Sequence, residues 1–250
     1  MKESSVSEFF SAEMVGYHYA RATASLGLWK SEEKIFTRVF ADRDASLLEL
    51  GCGAGRIAFG MHELGYRHLL ASDYARAMVK EARLLATTLE YAIPFKVEDA
   101  SKLSFEDDLF DGAIFGFNGM MQIPGAENRE RAMAEVYRVI RPGAFFVFTT
   151  HDRELPKFRT FWEAEKKRWR KGEQHPELVD FGDRYEETDM GMLFIHVPTP
   201  QEIRDLAKSA GFRIEADVMR SVIANEPPRV REFSAACRFW VLQKPAQFAE

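Results

Sequence analysis

Residues 46–55 read Ser46-Leu47-Leu48-Glu49-Leu50-Gly51-Cys52-Gly53-Ala54-Gly55. A short apolar run stops abruptly in three glycines at alternate positions. The run, 46–50, lacks the alternation of a strand with one wet face and reads as a strand covered on both sides. Glycine has no Cβ, so the turn can take positive φ and bring its backbone against a ligand. A helix follows over about 55–64, stopped by Gly65. Its N-terminus concentrates partial positive charge beside the turn. The next strand, 68–72, ends at Asp73, where a carboxylate can accept both hydroxyls of a ribose.

Outward from this unit the alternation continues. Ser31 is the expected N-cap of a helix over 31–40, because Ile35, Phe36, Val39 and Phe40 share a helical face. Good helix formers fill 75–90, and strands are expected at 95–97 and 111–117. An amphipathic helix over 127–140 is stopped by Arg141-Pro142-Gly143, and 144–150 is a wholly apolar fifth strand. Non-alternating strands separated by helices mean a parallel sheet covered on both faces. Ligands of such sheets sit outside the carboxyl ends of the strands.

The pattern breaks over 151–198, too long for an ordinary crossover and of the length seen in lids and binding loops. Leu155, Phe158, Trp162 and Trp169 form a helical stripe there, and 182–197 looks extended. The core resumes with Thr199 as N-cap and Pro200 as first helical residue; Gly211 ends that helix. Strands follow at 212–218 and 237–243. The organisation is one domain over 1–250: a helical lead-in (1–43), a core (44–150 and 199–244) and an inserted cap (151–198).

The composition, 46% hydrophobic and 29% charged over 250 residues, is that of a globular chain rather than a disordered one. The net charge of −5 counts against a surface that grips nucleic acid throughout, which would be basic. Cys52 and Cys237 are the only cysteines, too few for a disulfide framework or a thiolate metal cluster. No metal site is expected. Residues 1–10 lack the apolar stretch of a signal peptide, and no run nears the ~18 apolar residues of a membrane span. A cytoplasmic monomer or homodimer with no membrane contact is the expectation.

The spacing Gly51-x-Gly53-x-Gly55, with Glu49 two residues before the first glycine, differs from the dinucleotide fingerprint, whose third glycine comes one residue later. It resembles motif I of the class I S-adenosylmethionine-dependent methyltransferases. Further segments are similar to that family in order: Asp73, Glu98-Asp99-Ala100, Phe110 to Phe115, Arg138 to Ala144, and Thr199 to Phe212. The resemblance covers about 45–150 and 199–243. It implies a doubly wound, Rossmann-like α/β fold: seven strands, mostly parallel, the last antiparallel, with helices on both faces. It implies S-adenosylmethionine as cofactor. Glu49 would face its amino group, and Gly51 and Gly53, with Cys52 between them, would pack along it. Asp73 would hold the ribose, with Tyr74 beside the adenine. Asp99 and Ala100 would read the adenine edge, and Phe115 and Gly116 would lie at the methionine end. The N-P-P-Y or D-P-P-Y that follows strand four in some relatives is replaced by Phe117-Asn118-Gly119-Met120-Met121, which counts against DNA or protein amide methylation.

A small-molecule acceptor under the lead-in and the cap is the expected partner. His151 and Asn118, at strand ends, are the catalytic candidates. Tyr17, Tyr19, Arg21, Asn118 and His196 are the substrate-binding candidates. A structural role competes for each. Residues 153–171 hold eight basic side chains against three acidic ones, with aromatics interleaved. That leaves an RNA (tRNA or rRNA) methyltransferase as an alternative, beside the plainer reading of a solvated lid helix. An NAD(P)-dependent oxidoreductase and a non-catalytic cofactor-binding protein are the remaining alternatives.

Overall fold

Leu47, Leu48 and Glu49 are all buried, as an unbroken apolar run in mid-sheet requires. They form β1 (Leu47–Glu49), which pairs in parallel with β2 (Leu69–Asp73) on one side and β4 (Phe110–Phe115) on the other. The computed structural model describes residues 26–188 and 191–246. Helix α1 (Lys30–Val39) precedes β1; α2 (Arg56–Glu63) and α3 (Arg76–Thr88) follow β1 and β2. Then come β3 (Phe95–Val97), β4, a 3₁₀ turn (Gly119–Gln122), α4 (Ala126–Val139) and β5 (Ile140–Thr150). The insertion carries α5 (Arg159–Arg170) and a hairpin of β6 (Asp183–Thr188) and β7 (Gly191–His196). The chain closes with α6 (Pro200–Ser209), β8 (Arg213–Met219), the short helices α7 (Arg220–Ile223) and α8 (Pro228–Phe233), and β9 (Arg238–Gln243).

The main sheet has seven strands in the order β3-β2-β1-β4-β5-β9-β8, and β9 runs antiparallel to both neighbours. This is the doubly wound α/β fold expected from the sequence. The chain order reverses between β1 and β4, which opens a crevice at their carboxyl ends. Two cores fill the layers. One packs α1, α2 and α3 against the sheet through Phe36, Phe40, Phe59 and Tyr66; the other packs α4 and α6 through Val136, Phe146, Phe148 and Trp240.

Two boundaries differ from expectation. Helix α1 starts at Lys30 with Trp29 as N-cap, so Ser31 lies inside the first turn. The capping falls to carboxylates instead. Glu32 accepts the Trp29 N–H (2.9 Å), and Glu226, from far along the chain, accepts the N–H groups of Lys30 (3.2 Å) and Ser31 (2.8 Å). At the other boundary, β5 begins at Ile140, without a separate Arg141-Pro142-Gly143 turn. The strand absorbs those residues as a register shift against β4. Arg141 pairs with Asp111 of β4, and the Gly143 N–H donates to Lys244 O (2.8 Å).

The insertion sits on its own satellite core, with Trp162, Ile195 and Val197 packed against Met121 of the 3₁₀ turn. Arg153 ties its two ends, donating to Phe181 O (3.0 Å) and Val197 O (2.8 Å) and pairing with Glu202. Among the described residues no helix is long and apolar enough to cross a membrane.

Helix α1 is buckled to α2 by the Glu32–Arg56 pair, with both guanidinium nitrogens 2.6 Å from carboxylate oxygens. Those side chains are only 1% and 10% exposed. Removing one partner of such a pair strands a buried charge at a cost of about 3–5 kcal/mol. Glu32→Ala is therefore expected to destabilise the fold by that amount, read from the midpoint of urea unfolding. Arg138→Ala, which breaks more exposed pairs on α4, should cost less.

Candidate active site

The turn after β1 is held by hydrogen bonds to the neighbouring strand ends. Leu50 N–H donates to Ile114 O (2.8 Å) and Cys52 N–H to Ser72 O (2.9 Å). Asp73, closing β2, accepts the Gly53 N–H at one carboxylate oxygen and the Ala75 N–H at the other, both at 2.8 Å. Gly51 (φ +60°) packs under the Phe115 ring, and a Cβ there would meet the ring at 2.5 Å. Gly53 (φ +53°) faces open space, with nothing within 4 Å of a Cβ position. One glycine serves close packing and the other leaves room for a ligand.

That room is a cavity at the crevice between β1 and β4. Of the expected cofactor residues, Gly51, Gly53, Asp73, Tyr74, Asp99, Ala100, Phe115 and Gly116 line it. Glu49 and Cys52 do not; both are buried behind the turn. Cys52 belongs to the α1–α3 core, and burial drives its thiol pKa well up. Sequence reasoning missed Gln122, Ile123, Pro124 and Asn128, which also line the cavity from the 3₁₀ turn and the start of α4. Their signal was faint: two polar side chains and an Ile-Pro pair after strand four, with no fixed spacing.

Glu49 is 1% exposed, and its Oε2 has no hydrogen-bond partner among the described residues. Burial pushes its carboxyl up to about 8, while Arg56 opposes the shift and Glu32 and Asp73 add to it. Burial also raises Asp73, whereas its two backbone N–H donors pull it back down. S-adenosylmethionine needs acceptors for a ribose diol and for an ammonium. Asp73 lines the cavity with lone pairs to spare, and the orphaned Glu49 oxygen lies behind the same turn, so the residues fit that cofactor.

Beside the cavity, Phe117 (φ 47°) and Asn118 (φ 62°) are both left-handed, a rare state for non-glycine residues that concentrates at functional sites. The Asn118 N–H donates to Thr149 Oγ1 (2.8 Å), and its side-chain nitrogen stands 3.5 Å from His151 Nε2. His151 Nδ1 faces Ala236 O at 3.1 Å. A carbonyl only accepts, so Nδ1 carries the proton and the Nε2 lone pair is left toward Asn118. Burial holds the imidazole pKa below its usual value.

His196 lies elsewhere. It pairs with Asp183 (2.7 Å) at the base of the hairpin and lines a second cavity between the insertion, α4 and α6. Tyr17, Tyr19 and Arg21 fall outside the described residues. Among the described residues, no cluster of His, Cys, Asp and Glu could hold a metal.

Residues 47–143, from β1 into β5, match the methyltransferase domain family. The match, like the fold, is consistent with the class I S-adenosylmethionine-dependent methyltransferases. The cofactor that this family implies is S-adenosylmethionine. Over 161 residues the chain is 28% identical to a demethylmenaquinone methyltransferase of Bacteroides fragilis, covering 61% of this chain and 63% of that one. Over 98 residues it is 34% identical to a ubiquinone/menaquinone biosynthesis C-methyltransferase of Desulfotalea psychrophila, covering 39% and 37%. The chain thus spans less than two thirds of the length of these relatives. A solved S-adenosylmethionine-dependent methyltransferase from Methanosarcina mazei shares the fold with a TM-score of 0.67, covering 85% of this chain and 98% of that one at 22% identity.

Two outcomes are expected. Asp73→Ala should weaken S-adenosylmethionine binding at least ~10–100-fold by calorimetric titration, since hydrogen bonds to a charged group are worth ~1.5–3 kcal/mol each. Asp73→Asn keeps one acceptor and should do less damage. The second outcome concerns protons. An ammonium set against Glu49 favours the carboxylate, so binding should release a proton below pH ~8 and tighten as pH rises toward that value. Calorimetry in buffers of different ionisation enthalpy reads the release, and Glu49→Gln should abolish it.

Proposed function

We propose that the protein transfers a methyl group from S-adenosylmethionine to a small-molecule acceptor held beside Asn118 and His151. The observation that carries this reading is His151 itself. It is a neutral, carbonyl-oriented imidazole whose Nε2 lone pair lies next to the wall of the cofactor cavity.

Each cofactor residue takes one task. Glu49 receives the amino group through its unpartnered oxygen. Gly51 and Gly53 let the cofactor lie along the turn, and Asp73 holds the ribose hydroxyls. Tyr74 flanks the adenine, while Asp99 and Ala100 meet its edge. Phe115 and Gly116 wall the methionine end. The bound cofactor supplies a methyl group already activated by a positively charged sulfur. His151 Nε2 takes the proton from the acceptor heteroatom as that atom's lone pair forms the new bond to the methyl carbon. The bound cofactor's sulfur would keep the electron pair of the broken carbon–sulfur bond. Asn118 positions the acceptor.

General-base help contributes ~10²–10⁴ in rate, whereas alignment of two bound reactants supplies ~7–11 kcal/mol. Positioning therefore carries most of the acceleration and His151 a smaller share. The insertion 151–198 acts as a cap on the acceptor side, where its base meets the 3₁₀ turn. The basic face of α5 is exposed to solvent; the net charge of −5 is what supports the small-molecule reading over an RNA substrate.

The test is formation of S-adenosylhomocysteine when the protein is given S-adenosylmethionine and a panel of small phenols, quinols and carboxylic acids. Turnover on bulk tRNA or rRNA, with none on the panel, would overturn the reading. With an active acceptor, His151→Ala should lower kcat about 10²-fold and leave cofactor affinity within about twofold of wild type. The base works when neutral, and its pKa lies below the usual ~6.5. Wild-type kcat should therefore be flat near neutrality and fall only at acid pH, and the variant should lose that acid limb.

A further inference from the structure

Arg220 begins α7 at the carboxyl end of β8, on the same sheet edge as the site above. It is 6% exposed. Its Nη2 donates to Ser234 O (2.9 Å), and its guanidinium stands 5.1 Å over the Trp29 ring. Its Nη1 is buried without a partner, and no carboxylate among the described residues lies within ion-pair distance. A buried cation without a counter-charge is costly and calls for an explanation.

The neighbouring charges do not supply one. Arg56 also stacks over Trp29, at 4.5 Å, but it is neutralised by both oxygens of Glu32. Glu226 is committed to the N–H groups of Lys30 and Ser31. Of the two guanidinium groups on this tryptophan, that of Arg220 has no carboxylate partner among the described residues.

Its position adjoins the acceptor site. Arg220 and His151 grip the same stretch of backbone: the Arg220 N–H donates to Cys237 O (2.9 Å) and His151 Nδ1 to Ala236 O. Asn118 Oδ1, another buried atom with no partner, belongs to the same group. The surrounding walls are aromatic. Trp29 meets Phe117 edge-on at 5.6 Å, Phe117 stacks on Phe233 at 5.5 Å, and Phe117 also lines the cofactor cavity.

We infer that the acceptor is a planar aromatic carboxylate, with Arg220 as the residue that binds its carboxylate. The inference rests on the methyltransferase reading above and adds the acceptor's charge and shape to it. The guanidinium fork matches a carboxylate in plane, and the aromatic walls match a flat ring. Nη1 is closed from solvent in this structure, so occupancy requires the Trp29–Phe117–Phe233 stack to part. The carboxylate then supplies the counter-charge that the described residues lack.

The experiment uses the full chain saturated with S-adenosylhomocysteine, which blocks turnover, and titrates benzoate against its uncharged isostere benzamide by calorimetry. Benzoate should bind wild type at least tenfold tighter than benzamide. Arg220→Met should erase that preference and Arg220→Lys should keep part of it, with S-adenosylhomocysteine affinity unchanged in both. Circular dichroism checks folding; should Arg220→Met fail to fold, the wild-type ratio and Arg220→Lys decide. Equal binding of the two probes, no benzoate binding to wild type, or full benzoate affinity in Arg220→Met would overturn the assignment and leave the methyltransferase reading standing. Failure of wild type to bind S-adenosylhomocysteine would overturn both.

Discussion

The carboxylate of Asp73 joins the two halves of the candidate cofactor site. One oxygen accepts from Gly53 in the turn after β1, and the other accepts from Ala75 at the start of α3. A carboxylate forced into a half-buried position tends to pick up a proton, and burial does raise this one. The two backbone donors oppose the rise and keep the group useful as an acceptor. The turn and the β2–α3 junction are thereby set at a fixed separation. Any ligand along the turn meets the same carboxylate with its remaining lone pairs.

Around this point the molecule uses charge sparingly and pairs it across long stretches of chain. Glu32 caps α1 and neutralises Arg56, which follows the glycine turn directly. Glu226, from the segment between α7 and α8, caps the same helix end. The lead-in helix is therefore clamped to the turn by one ion pair in a dry environment, where breaking one partner costs far more than at the surface. Glu49 sits among these groups, and its Oε2 is without a hydrogen-bond partner. Its raised pKa is the electrostatic consequence of keeping an acceptor buried and unmet.

The strand–turn–helix–strand–acid unit was legible because it is local. Gly51, Gly53 and Asp73 lie within one βαβ unit, and each has a steric or charge reason to be where it is. The sheet followed from the continuous apolar strands, and the Thr199 cap of α6 from its own four residues, which form a full capping box. What escaped was non-local. Ser31 had every mark of an N-cap, yet a carboxylate 195 residues away did the work. The pairing of Glu32 with Arg56 leaves no spacing signature, and neither does the lack of a counter-charge at Arg220 among the described residues. His196 looked like a substrate ligand by position, but its ring is directed to Asp183. Gln122 and Asn128 reach the cavity only because the 3₁₀ turn folds the chain back over it.

The acceptor side depends on the one strand that runs against the rest. β9 is antiparallel to β5 and β8, so it begins at the edge where they end. Its approach, Ser234 to Cys237, must therefore pass over the carboxyl edge of the sheet, beside the ends of β4, β5 and β8. That passage brings three backbone carbonyls to a place otherwise lined by side chains. Ala236 O fixes the tautomer of His151, Cys237 O anchors the backbone of Arg220, and Ser234 O holds its guanidinium. A parallel strand in that position would have started at the opposite edge and supplied none of them. The reversal of a single strand thus fixes an imidazole at β5 and a guanidinium at β8 against the same stretch of backbone.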